Sequence, residues 1–382
     1  MSSTKATTGN IGTIDAASLT GAALPAISGA ALTNIPGVNK GSSDPLISTN
    51  PSAVGAAYLN TTTGELFCCT DATAGSNVWV NVGTGTGDIQ PYLFQGTVSG
   101  YSSGGYLPSG KSNVTDKFSF SSNTTASDHG DLSVARGGTN GHKSTSHGYV
   151  SGGQNAAATS LISIEKFSWT SAVNATDVGD LTKANYYGAE ASSSTHGYTA
   201  SGVVAPQTVI EKFAFAASVT SAGHGNIRSG TRSNGGHSST TDGFSVGGFP
   251  PIATIDKYSF ASNTTSAGHG NIGGVAGHAQ GAQSSSTHGF LTAMSATGGA
   301  TRTNVIEKFA FSSNTTASDH GDLTRNQYGG TGQSSTTHGF YSGGSEPIIA
   351  SVDKFSFSSN AGSSTHGNLS QARQDGAMDL QF

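Results

Sequence analysis

Apolar and polar positions in residues 93–382 alternate in short runs separated by glycine and serine clusters, a period-two pattern that predicts β-strands joined by turns. The clearest run has the form acidic residue, lysine, aromatic, small residue, aromatic. It recurs as DKFSF, EKFSW, EKFAF, DKYSF, EKFAF and DKFSF, with lysines at Lys117, Lys166, Lys212, Lys257, Lys308 and Lys354. Around Lys166 the alternation puts Glu165, Phe167 and Trp169 on one face, with Ile162, Ile164 and Lys166 on the other. Both faces carry bulk, so both are expected to be covered. No segment of about 12 residues carries an apolar stripe at helical spacing, so almost no helix is expected.

Two further landmarks keep step with the lysine motif. A glycine followed by an aromatic stands at Gly100, Gly148, Gly197, Gly243, Gly289 and Gly339, and a Gly-Asp/Asn-Leu/Ile triplet begins at Gly130, Gly179, Gly225, Gly270, Gly321 and Gly367. The step from lysine to triplet is 13 residues in all six copies, and from triplet to the next Gly-aromatic pair 18 or 19. Between the Gly-aromatic pair and the lysine it varies from 14 to 19, so all length variation collects in one loop per repeat. A mean period of about 47 residues with three or four short strands per unit predicts an all-β fold, a six-bladed β-propeller over residues 93–382 whose neighbouring blades bury one another's faces. The first repeat opens on its Gly-aromatic strand, and the chain ends on SQARQDGAMDLQF past the sixth triplet. This tail is expected to supply the missing strand of the first blade and remove an exposed edge.

The run from Leu132 through Arg136, Gly148-Tyr149 and the Gly152-Gly153 doublet to Phe167 resembles a kelch repeat. The doublet returns at Gly104-Gly105, Gly247-Gly248 and Gly343-Gly344, and arginine at Arg325 and Arg373. The tryptophan usual in that family after the aromatic strand is replaced by NTTASDHG-like segments, and the doublet is missing after Tyr198. The resemblance covers about three quarters of the chain and implies a kelch-like propeller acting as a binding module.

Residues 1–40 contain ASLTGAALPAISGAALTNIPG, in which Leu19, Leu24, Ile27, Leu32 and Ile35 are spaced among small residues. Such a segment builds no core alone and is expected to be extended, with these side chains buried between identical chains. Residues 41–83 read as a small β-meander module, three strands over 54–83 anchored by Trp79, and residues 84–92 as a glycine-rich linker. The leader and the meander resemble modules of tail fibres and tail-associated proteins of tailed bacteriophages, and the repeats resemble those of marine-phage structural proteins. That resemblance implies a virion protein of the extracellular phage particle. Its N-terminus would join other virion proteins and form a homo-oligomer, a trimer being favoured.

Composition narrows the chemistry. Glycine makes up 55 of 382 residues, and only 10% are charged, which suits a turn-rich β protein rather than a disordered polyelectrolyte. A net charge of −5 without basic runs offers nucleic acid no footprint, and no apolar stretch of about 18 residues predicts membrane insertion. Cys68 and Cys69 are adjacent, so they point to opposite faces of a strand and are expected to be free thiols.

Most of the twelve histidines fall in two repeat positions, one before the triplet glycine (His129, His224, His269, His320, His366) and one before the Gly-aromatic pair (His147, His196, His288, His338). A metal reading would use Asp128, His129 and Asp131, with Asp319, His320 and Asp322 as the matching set. Because Val178 and Asp242 replace histidine in two repeats, a turn-bonding role is favoured, and no metal or cofactor is expected. The Asp/Glu-Lys pairs are expected to be solvated or to form ion pairs between blades, and the NTT sites to be turns.

No nucleophile-base set, phosphate loop or paired-carboxylate signature stands out, so no enzyme is expected. The expected function is a tail fibre or receptor-binding appendage, the alternative a capsid or neck decoration. The variable loops should share one rim and meet a host glycan or protein through Tyr106, Phe249, Arg302 and Glu346.

Overall fold

A computed structural model describes residues 38–83, 93–216, 218, 220–278, 281–296 and 301–382. Leu19, Leu24, Ile27, Leu32 and Ile35, and the linker at 84–92, lie outside the described residues. The chain divides into two compact units, 1–91 and 92–382, and is all-β, with no helix among the described residues.

In the N-terminal unit, Asn39–Gly41, Ala57–Asn60, Leu66–Asp71 and Val78–Asn81 form one four-stranded sheet in chain order. The last three strands are the expected antiparallel meander. The first is an addition: it pairs parallel to the second, Asn39 opposite Tyr58, and covers an edge of the meander. Trp79 is fully buried with Phe67 and Cys69, and Tyr58 meets its ring edge-on at 5.8 Å. Both thiols are free; Cys68 is half-buried, and burial pushes the Cys69 thiol up.

The C-terminal unit carries one principal sheet per repeat. Sheet 1 contains Ser99–Ser103, Val114–Ser119 and Ser127–Asp131. Sheet 2 contains Asn140–Lys143, His147–Ser151, Ser163–Ser168 and Thr176–Asp180, and sheet 3 Ala189–Ser192, His196–Ala200, Val209–Ala214 and Ala222–Asn226. Sheet 4 contains Gly235–Ser238, Asp242–Val246, Thr254–Ser259 and Ala267–Asn271. Sheet 5 contains Ala282–Ser284, His288–Thr292, Thr303–Ala310 and Ser318–Gln327, and sheet 6 Thr331–Ser334, His338–Ser342, Ser351–Ser356 and Ser364–Asn368. Each is an open antiparallel sheet. Where sheet 1 lacks a strand, the C-terminal residues run antiparallel to Ser99–Ser103, with Tyr101 donating to the Leu380 carbonyl at 2.9 Å and Ala377 donating to that of Ser103 at 2.8 Å.

The landmarks now have physical causes. A Cβ on any glycine of the Gly-aromatic pair would overlap the third-strand ring that crosses its backbone, as Phe309 crosses Gly289. The triplet glycine takes positive φ, +107° at Gly270, and a Cβ there would strike the Thr315 backbone in the next sheet.

Each sheet packs on the next through aromatic and aliphatic side chains. Tyr101 of sheet 1 meets Phe167 and Trp169 of sheet 2, and Phe290 of sheet 5 meets Phe355 of sheet 6. Phe340 of sheet 6 meets Phe118 and Phe120 of sheet 1.

The acid of the lysine motif is not solvated; in three repeats it forms the other expected arrangement, an ion pair between repeats, though with arginine rather than lysine: Glu165 with Arg136, Asp256 with Arg228 and Asp116 with Arg373. This acid is buried and accepts a backbone N–H just beyond the preceding sheet's triplet, because that donor has no strand partner. Ser133 bonds Glu165 at 2.8 Å, Gly273 bonds Glu307 at 2.7 Å, and Ser370 bonds Asp116 at 2.9 Å. Three of the accompanying lysines lie over an aromatic ring, Lys117 over Tyr101 at 5.6 Å, Lys257 over Phe244 at 5.7 Å and Lys354 over Phe340 at 5.7 Å.

The triplet histidines likewise tie sheet to sheet. Nε2 of His129, His224, His269, His320 and His366 bonds a third-strand carbonyl of the neighbouring sheet at 2.7–2.8 Å. The first strands are linked by a serine relay, the Ser192 amide to Ser238 Oγ at 2.9 Å and the Ser284 amide to Ser334 Oγ at 2.8 Å.

Candidate functional site

The segments that lead from one sheet's fourth strand to the next sheet's first strand turn inward on residues of positive φ: Gly138, Tyr187, Ser233, Gly329 and Asp375. Their backbones bond one another across repeats. Tyr187 donates to the Gly138 carbonyl at 2.9 Å, Ser233 to that of Tyr187 at 2.8 Å, Gly138 to that of Asp375 at 2.8 Å, and Asp375 to that of Gly329 at 2.6 Å. Non-glycine residues hold this left-handed conformation at a cost. Here it directs the Tyr187 and Asp375 side chains toward each other, and Tyr187 Oη donates to Asp375 Oδ2 at 3.2 Å.

Against this backbone lies a cavity of about 430 Å³. Tyr186 and Tyr187 line it from the sheet 2–3 connection, Arg232 and Ser233 from the 3–4 connection, and His278 and Tyr328 from the next two. Gln374 and Asp375 enter from the C-terminal segment, and Val203 from a variable loop. A second void of about 20 Å³, room for one water, shares Tyr187, Ser233 and Asp375 and is lined on other sides by Thr139, Asn234 and Met378.

The electrostatics of the cavity are mixed. Burial pushes the Asp375 carboxyl up to about 7, against the hydrogen bonds from Tyr187 and Gln374 that favour its charge. Burial raises the Tyr187 phenol as well. His278 is held below the usual imidazole range by burial and then by the Arg232 charge.

Of the four rim residues named from the sequence, Tyr106, Phe249 and Glu346 each touch a lining residue, and Arg302 is joined to the lining through Glu346. The Tyr106 ring stacks on Tyr187 at 6.4 Å. Phe249 stacks on His278 at 5.2 Å and carries the Arg232 guanidinium over its face at 4.7 Å. Arg302 and Glu346 are paired with each other at 2.9 Å, and Glu346 accepts a bond from Tyr328 Oη at 3.4 Å. Tyr106 and Phe249 therefore support the lining, while Arg302 spends its charge on Glu346.

The lining residues themselves escaped the sequence reading, because Tyr186, Tyr187, Arg232, Ser233, His278 and Tyr328 sit in connections of nearly constant length, and Gln374 and Asp375 in the C-terminal segment. The histidines of both repeat positions lie elsewhere, and the second-strand ones bond neighbouring hydroxyls, as Thr337 Oγ1 meets His338 Nδ1 at 2.8 Å. Among the described residues no group of three His, Cys, Asp or Glu side chains is placed to hold a metal ion. Compared with known proteins, the chain matches no family model and no curated sequence.

Proposed function

We propose that the C-terminal unit is a six-bladed, kelch-like propeller that binds a saccharide at the cavity, and that the chain is a receptor-binding appendage of a tailed-phage virion. The cavity carries the reading. Three tyrosines, an arginine, an imidazole and a carboxyl converge from five successive connections, and a sugar presents the matching combination of an apolar C–H face and many hydroxyls. Packing of sheet 6 on sheet 1, the His366 bond to the Ser119 carbonyl and the C-terminal strand beside Ser99–Ser103 support the propeller. Asp375 is the one carboxylate among the described lining residues, whereas glycoside hydrolysis uses two, which supports binding without turnover. The phage context rests on the resemblance of the leader, meander and repeats.

The test is binding of the full chain to a panel of bacterial surface glycans, with Tyr328→Ala beside the unaltered protein. The expected result is a glycan whose affinity falls at least about tenfold in the variant while the melting temperature holds, since loss of an aromatic platform costs about 1–3 kcal/mol. Absence of any bound glycan would leave the propeller as a packing element of a capsid or neck decoration. The N-terminal part of the reading predicts a trimer by light scattering, dissociating when Leu24, Ile27 and Leu32 are replaced together by serine.

A further inference from the structure

The geometry points to a carboxylated sugar, of the uronic-acid type, as the occupant of the cavity, with the Arg232 guanidinium as the group that receives its carboxylate. This rests on the saccharide-binding reading and narrows it. The chain has six arginines, and four have carboxylate partners: Arg136 with Glu165, Arg228 with Asp256, Arg302 with Glu346 and Arg373 with Asp116. Arg325 is exposed on the strand Ser318–Gln327. Arg232 is the exception that faces a cavity, half-buried and with no carboxylate partner among the described residues.

Its position is fixed on two sides. The backbones of Arg232 and Phe249 exchange hydrogen bonds of 3.1 and 2.8 Å, and the guanidinium lies on the Phe249 ring, which leaves its N–H edge free to form a planar, two-point pair with a carboxylate. No ion pair joins Arg232 to Asp375, so the cavity's own acid does not neutralise it. Asp375 is instead held by Tyr187 at 3.2 Å and by Gln374 at 3.2 Å, and burial favours its neutral form, which limits repulsion of an anionic guest. His278, stacked on the Phe249 ring, adds a polar edge, and the tyrosines offer faces for the sugar ring.

The experiment compares D-glucuronate with D-glucose and D-galacturonate with D-galactose by titration calorimetry on the full chain, at pH 6.5 and low salt. The expected result is that a uronate binds at least about tenfold tighter than its neutral partner, the effect of one charge-assisted two-point pair. Arg232→Gln should bring the two within about twofold of each other, Arg232→Lys should restore part of the preference, and Arg325→Gln should leave it unchanged. Equal binding of acid and neutral sugar, or a preference that survives Arg232→Gln, overturns the assignment to Arg232 and leaves saccharide binding standing. If none of these sugars and no glycan of the surface panel binds, the saccharide reading falls and takes this inference with it.

Discussion

His237 shows how a single residue ties local packing to solution behaviour. It is fully buried on the first strand of sheet 4, its Nδ1 bonded to the Gln283 carbonyl at 3.1 Å and its ring edge-on to Phe309. Burial drives its pKa down to about 3. Below the ordinary imidazole value, near 6.5, the unfolded chain takes up a proton that the folded chain refuses, so this contribution is complete above that pH and is lost as pH falls toward 3. Glutamine already fills the corresponding place in the next two sheets, where Gln283 and Gln333 bond carbonyls at 2.9 and 3.0 Å. His237→Gln should therefore fold. Between pH 7 and pH 5, urea unfolding should show the unaltered protein losing about 2 kcal/mol more than the variant. Equal losses would mean that His237 is protonated in the fold. Asp375, whose carboxyl is raised, slopes the opposite way in both proteins and cancels in the comparison.

At the scale of elements, the recurring glycine before each second-strand aromatic is a packing device. Gly289→Ala should drive a methyl into the Phe309 ring and cost about 1–3 kcal/mol, with Phe309→Leu in the same chain relieving part of it. Gly223→Ala, where a Cβ meets nothing within 4 Å, is the control and should change stability by less than about 0.5 kcal/mol. Chemical denaturation of the three variants decides between a steric and a general glycine effect.

This device is also why the strands were legible in the sequence: alternation, aromatic and glycine stand at fixed offsets because the third-strand ring lies against the glycine backbone in every repeat. The parallel strand Asn39–Gly41 was illegible for the opposite reason, since it contributes backbone bonds and buries no apolar side chain. The cavity lining was hidden too. Arg232, His278 and Asp375 reach it through backbone turns and chain crossings that composition does not mark, while loop-length variation drew attention to the rim just outside. The rim residues so named lie next to the cavity without lining it.

At the scale of the whole molecule, the C-terminal residues complete sheet 1. Arg373, buried and paired with Asp116 at 2.8 Å, and Leu380, fully buried among sheets 1 and 2, fasten the last residues to the first sheet of this unit. Removing residues 377–382 forfeits at least three backbone bonds and the burial of Leu380, and should cost at least about 5 kcal/mol. Calorimetry should show a lowered transition, and light scattering should show association through the bared edge of Ser99–Ser103. An unchanged transition would mean that this segment is dispensable.

Of the contacts between successive sheets, the one from sheet 2 to sheet 3 differs from the rest. Val178 stands where the others have an imidazole, and it packs with Tyr149 and Phe213 instead of bonding a carbonyl. Glu211, the acid that caps this boundary, is raised by burial as Glu307 is in its own repeat, so the missing imidazole bond is what sets the boundary apart. The molecule therefore has a seam, a place where strain from outside is released first. Under mild denaturant, amide protons along Val209–Ala214 should exchange ahead of their counterparts in the other five repeats.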